Sequence, residues 1–105
     1  MSRAWLSPRA SAQADSIYRY TLDRYGAVQA RRYIEGLFRC FEAIARGTVT
    51  TRRIPAEFGV DGSYARFGQH FVYWRKLSRG RIGIVAILHV RMHQLRQFRD
   101  AGGGE

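Results

Sequence analysis

The sequence predicts a two-layer α+β domain, ordered β-α-α-β-β-β, in which a helical hairpin packs on a mostly antiparallel sheet. Three observations predict it. Two long stretches before residue 47 carry apolar residues at helical spacing and are parted by one glycine, Gly26. Three stretches after residue 63 alternate or run apolar over strand lengths, with tight turn signals between them. A helical hairpin whose two apolar faces lack a partner also needs a sheet to bury them. The 105 residues are the size of one domain, enough to bury roughly two-thirds of the unfolded surface. We assign residues 1–99 to that domain and residues 100–105, rich in glycine, to a loose tail.

The first element is a short strand in "RAWLS" (Arg3 to Ser7). Ser7-Pro8 then reads as a helix start: serine caps the first free amides, and proline fits a first turn whose N–H has no partner anyway. Ala10, Ala14, Ile17, Thr21 and Tyr25, flanked by Tyr18 and Leu22, form its apolar face, and Gly26 stops it. The second helix shows the strongest periodicity. Ala30, Tyr33, Ile34, Leu37, Phe38, Phe41, Ile44 and Ala45 make one face, Arg31, Arg32, Glu35, Arg39, Glu42 and Arg46 the other, and Gly47 ends it. Thr48 to Ser63 holds Pro55, Gly59 and Gly62 and reads as a connecting loop. "YARFG" and "HFVYWRKL" are strands joined at Gly68-Gln69, and "SRG" turns the chain into "RIGIVAILH". In that last strand, Ile82, Ile84, Ala86 and Leu88 are expected on one face, Val85 and Ile87 on the other; apolar on both sides, it belongs inside the sheet.

Composition narrows function. Eighteen Lys and Arg face eight Asp and Glu, a net charge of +10, and Lys76 is the sole lysine. A surface this rich in arginine suits an anionic partner, either nucleic acid or an acidic protein. The single cysteine, Cys40, excludes an intrachain disulfide and fits a reducing cytoplasm; it reads as a small core residue. No secretion signal and no membrane-spanning run are expected, because no stretch is apolar enough. No metal site is expected: His89 and His93 stand four apart, but on a strand end and its exit, without further ligands.

Three motifs carry a resemblance. "DSIYRYTLDRYGAVQARRYIEGL" resembles the helical half of ParE toxins, "YARFGQHFVYWR" their Arg-x-Gly-x-His-x-x-x-Tyr-Arg hairpin with Trp74 where tyrosine is usual, and "IVAILHVRMH" their Ile-Leu-His-x-Arg-Met ending. The likeness runs from about Leu6 to Phe98. It implies a RelE/ParE-like fold and a small cytoplasmic bacterial toxin of a type II toxin–antitoxin system. It also implies a ParD-like antitoxin with an acidic C-terminal segment and, as target, DNA gyrase, trapped on cleaved DNA. RelE relatives cut mRNA on the ribosome instead, so fold alone does not choose the target.

The polar cluster at the end of the last strand bears on that choice. As a nuclease, the chain would use His93 and His89 as acid and base, with Arg91 and Arg75 on the phosphate. As a binding protein it needs no catalytic residue and no cofactor. Arg66, Tyr73, Arg75, Arg91, Met92, Leu95 and Phe98 then offer basic and apolar anchors to an antitoxin segment, while the spacing of Met92, Leu95 and Phe98 fits a short terminal helix equally well. On the helical hairpin, Arg24, Arg31 and Arg39 are the candidate gyrase contacts. We take the binding reading as the expectation.

Overall fold

The computed structural model describes residues 3–55 and 62–92. Its elements are β1 (Ala4–Leu6), α1 (Pro8–Tyr25), α2 (Ala27–Arg46), β2 (Arg52–Arg53), β3 (Ser63–Phe67), β4 (His70–Lys76), a 3-10 turn at Ser78–Gly80, and β5 (Ile82–His89). The strands form one five-stranded sheet in the order β1-β5-β4-β3-β2. Neighbours are antiparallel except β1, which runs parallel to β5. The expected architecture is thus present, with one addition. Arg52 and Arg53, inside the expected connecting loop, pair with Tyr64 and Ser63 as a fifth strand.

The helix starts and stops follow from local chemistry. Ser7 Oγ accepts the Ala10 N–H at 3.0 Å, and proline follows at the first helical position. Gly26, at φ 91°, ends α1 and opens α2 with no residue between. It donates its N–H to the Leu22 carbonyl and accepts the Ala30 N–H with its own, so it closes the last bond of α1 and opens the first of α2. Ala10 and Ala14 of α1 and Ala30, Leu37, Cys40, Phe41 and Ile44 of α2 are buried. Tyr25 and Phe38, expected on apolar faces, are 66% and 45% exposed instead, because they lie beyond the arc that meets the sheet.

Under the helices, Ala65, Val72, Ile82, Ile84 and Ile87 close the main core, with Phe67 and Trp74 packed beside them. The opposite face of the sheet holds a smaller cluster of Ile54, Tyr73, Ala86 and Leu88, edged by Tyr64 and Phe71. The facing expected for the last strand therefore changes halfway. A bulge lies opposite Tyr73 and Trp74, where Tyr73 pairs with Ala86 but Trp74 with Ile84. Val85 is left over, and the side chains after it switch faces. β1 pairs with β5 only as far as Ile84, and beyond it α1 and its cap residue bond to β5: Ser7 Oγ donates to the Val85 carbonyl at 2.9 Å, and Gln13 Oε1 accepts the Ile87 N–H at 2.7 Å.

Candidate functional site

Alternation along β3 and β4 places Tyr64 and Arg66, and Phe71, Tyr73 and Arg75, on the sheet face away from the helices. Their rings gather: Tyr64 lies 5.5 Å from Phe71 and 5.6 Å from Tyr73, centroid to centroid, and Phe71 lies 6.3 Å from Tyr73. Arg66 and Arg75 stand exposed at the two ends of this stripe. Tyr73, expected as a displayed anchor, is only 1% exposed. It is the floor of the stripe, and burial, with Tyr64 adding to it, raises its hydroxyl pKa far above the usual range. Tyr64 and Phe71, half-buried, are the rings left for a partner to touch. An open cleft of 480 Å³ beside them is lined by Val49, Thr50, Arg52, Tyr64, Ala65, Arg66 and Phe71. Tyr64 escaped the list of candidates although its spacing from Arg66 and its hairpin partners carried the signal.

The hairpin end of the sheet is a polar junction. Tyr33 reaches from α2 so that its hydroxyl oxygen sits 2.7 Å from His70 Nδ1 and 3.2 Å from the Phe67 carbonyl, and it accepts the Gln69 N–H at 3.2 Å. The Phe67 carbonyl can only accept the hydroxyl proton, and whether His70 Nδ1 donates to or accepts from the hydroxyl follows the imidazole's tautomer. Burial, helped by His89 nearby, pushes the His70 pKa down to about 4. The His70 and His89 rings meet edge to face at 5.4 Å. His89 Nδ1 accepts the Arg91 N–H at 3.1 Å, so this ring holds a backbone amide. Neither Tyr33 nor His70 was a sequence candidate. His70 stood inside a quoted motif, but nothing in the sequence ties it to a tyrosine 37 residues away.

Among the described nuclease candidates, the structure sets Arg75 apart from His89. His89 pairs with His70 at one end of the β4–β5 ladder and Arg75 with Gly83 toward the other. Five residue steps along β4 separate the two rows, about 16 Å at strand rise. Arg75 also lies on the sheet face away from the helices, and His89, like its partner His70, on the helical side. Arg91 and Met92 follow β5 at the His89 end, both exposed. His93, Leu95 and Phe98 lie outside the described residues, as does the tail at 100–105. Among the described residues no group of three or more His, Cys, Asp and Glu side chains is placed to hold a metal, and no helix is long and apolar enough to cross a membrane. On the hairpin, Arg24, Arg31 and Arg39 are exposed. Arg24 sits over the Tyr20 ring at 5.5 Å, and Arg31 lines a shallow hollow with Ala27, Val28, Arg32 and Glu35.

Known proteins match this arrangement across most of its length. The family model described as ParE toxin of type II toxin–antitoxin system, parDE, matches residues 5–94, from within β1 to just beyond β5. The chain belongs to the ParE toxin family. Toxin ParE1 of Mycobacterium tuberculosis, in strains CDC 1551/Oshkosh and H37Rv, is 34% identical over 93 residues, covering 87% of this chain and 92% of the relative. Among solved structures, the chromosomal ParDE TA system from P. aeruginosa superposes with a TM-score of 0.62 over 85% of this chain and 95% of that one. Its 18% identity makes that a likeness of fold. This ParE-family chain is therefore a toxin of the type II toxin–antitoxin kind, built as two helices on a five-stranded, mostly antiparallel open sheet.

Proposed function

We propose that this ParE-family toxin acts in the cytoplasm by binding DNA gyrase and trapping its DNA-cleaved state, without chemistry of its own, and that a ParD-like antitoxin neutralises it. The family match over residues 5–94 carries this reading. The geometry supports the non-enzymatic part. A nuclease needs its acid, base and phosphate-binding groups around one phosphodiester, whereas here Arg75 and His89 lie at opposite ends and on opposite faces of the sheet. A toxin that binds one state of gyrase more tightly than the others shifts the enzyme toward it, and a 10⁴-fold preference, about 5.5 kcal/mol, suffices to move a 1:99 equilibrium to 99:1. Arg24, Arg31 and Arg39 on the exposed hairpin are the residues we assign to the gyrase contact.

For the antitoxin, the aromatic stripe supplies the seat. An acidic, extended C-terminal segment lays apolar side chains against Tyr64 and Phe71 and pairs its carboxylates with Arg66, Arg75 and Arg91, with Met92 as a further anchor.

The test uses purified toxin, gyrase, ATP and supercoiled plasmid. Linear plasmid released by detergent and protease, suppressed by the antitoxin, is the expected result. Absence of linear DNA together with codon-phased mRNA cuts on ribosomes, lost in His93→Ala, overturns the reading in favour of a ribosome-dependent endonuclease.

A further inference from the structure

One end of the sheet, Arg75 apart, takes no part in the function proposed above. There β4 finishes in Arg75 and Lys76, the turn that follows carries Arg79, and Arg81 precedes β5. The register extends this end in both directions. Lys76 pairs with Ile82, and Ile82 with Ala4, the neighbour of Arg3; on the other side Trp74 pairs with Ser63, and Ser63 with Arg53. Arg3, Arg53, Arg75, Lys76, Arg79 and Arg81 are all exposed. The acidic residues among those described are Asp15, Asp23, Glu35 and Glu42, and every one lies on α1 or α2. Among the described strands and turns no acidic side chain offsets this charge; Glu57 and Asp61, in the link between β2 and β3, lie outside the described residues.

The rim opens into a cleft of 650 Å³ lined by Thr51, Arg53, Gly62, Ser63, Trp74, Arg75 and Lys76. Cations and hydroxyls make most of its wall, a donor set that suits phosphate oxygens. From β2 to β1 the sheet end is four strand spacings wide, about 19 Å. Duplex DNA carries one charge per about 1.7 Å of axis, so a row of that width meets several phosphates. The turn adds a second sign. Arg79 sits at φ 61°, a left-handed conformation that glycine adopts more readily, so a cationic side chain is held at the tip against backbone preference.

We propose that this rim and its cleft bind the phosphate backbone of duplex DNA, giving the toxin a DNA contact that shares only Arg75 with its aromatic face and nothing with its helices. The inference goes beyond the gyrase reading and does not need it. An acidic peptide fits less well, because peptide docking relies on apolar anchors and those stand on the aromatic stripe. Unpaired bases fit less well because the cleft's aromatic residue, Trp74, has its indole nitrogen buried and its ring set into the wall.

The test is fluorescence anisotropy of a labelled 20-base-pair duplex with the full-length toxin between 50 and 200 mM salt. The triple variant Arg53→Gln, Lys76→Gln, Arg79→Gln is expected to bind at least tenfold more weakly at 100 mM salt, with a log-affinity against log-salt slope shallower by about 2 to 3. Arg19→Gln, Arg32→Gln, Arg46→Gln removes the same charge from the helices and is expected to stay within twofold. Arg79→Gly relaxes the turn and is expected to weaken DNA binding while the chain becomes more stable, which keeps the test valid if the triple variant folds poorly. Four results overturn the proposal: equal losses in the two triple variants, no duplex binding at 50 mM salt, tighter binding of a single strand of the same length, or a rim variant that loses antitoxin affinity but keeps duplex affinity. Trapping of gyrase is not part of the readout, so failure of that reading leaves this one standing.

Discussion

Tyr33 ties α2 to the β3–β4 hairpin with one hydroxyl, through His70, Gln69 and Phe67. Tyr33→Phe keeps the ring packed against Phe67 and removes those bonds. It leaves the Gln69 N–H and His70 Nδ1 without this partner, and a loss of about 1–2 kcal/mol is expected, read as a lower urea midpoint at unchanged slope. Gly68 belongs to the same junction: at φ 56°, an added Cβ would come 2.6 Å from the Tyr33 oxygen. His70 gives a pH dependence whose sign follows from its neutral state. Its folded pKa of about 4 lies below the ordinary 6.5, so between these values the unfolded chain binds the proton more readily. The stabilisation is complete above pH 6.5 and is lost as pH falls toward 4. Urea midpoints between pH 7 and 5 are expected to fall in the parent and to fall less steeply in His70→Gln. None of this was legible at the residue level. Tyr33 reads as one more position on an apolar helix face, and a bond spanning 37 residues has no local signature.

At the scale of elements, the bulge in β5 is where sequence and structure part company. The run from Ile82 to Leu88 is apolar throughout, so its pattern does not reveal that one residue lacks a partner. Past Ile84, where β1 stops, another element takes over the edge of β5. Gln13, a polar residue near the buried face of α1, accepts the Ile87 N–H. Gln13→Ala is expected to leave that amide unsatisfied and to cost about 1–3 kcal/mol; amide hydrogen exchange should show Ile87 losing protection before its neighbours. Gln13→Glu, which keeps an acceptor, should cost less. The second miss, β2, has a similar cause: two consecutive arginines flanked by a loop carry no strand pattern, and only pairing with Tyr64 and Ser63 defines them. The helices were legible because serine, proline and glycine mark their ends and apolar spacing marks their faces.

For the molecule as a whole, two layers follow directly from the order of periodicities, since a helical hairpin and a sheet each have one face to cover. The division of charge does not follow from the sequence. Arginines occur all along the chain, and only the strand register gathers Arg3, Arg53, Lys76 and their neighbours at one end, away from the acidic residues of the helices. A chain of net charge +10 repels itself when compact, and salt screens that repulsion. Raising sodium chloride from 20 to 300 mM is therefore expected to raise the melting temperature of the isolated toxin by several degrees, about 1 kcal/mol at this size. Sulfate should raise it further at equal ionic strength. A different consequence follows from Cys40, which α2 buries in the core and whose thiol pKa that burial raises. Only a thiolate in contact with solvent attacks a disulfide reagent quickly, and the chain has no second sulfhydryl. The folded toxin thus carries its own clock. The rate at which dithiobisnitrobenzoate colours a solution of it reports how often the helical layer lifts from the sheet, and any ligand that clamps the two layers should slow the colour in proportion to its occupancy.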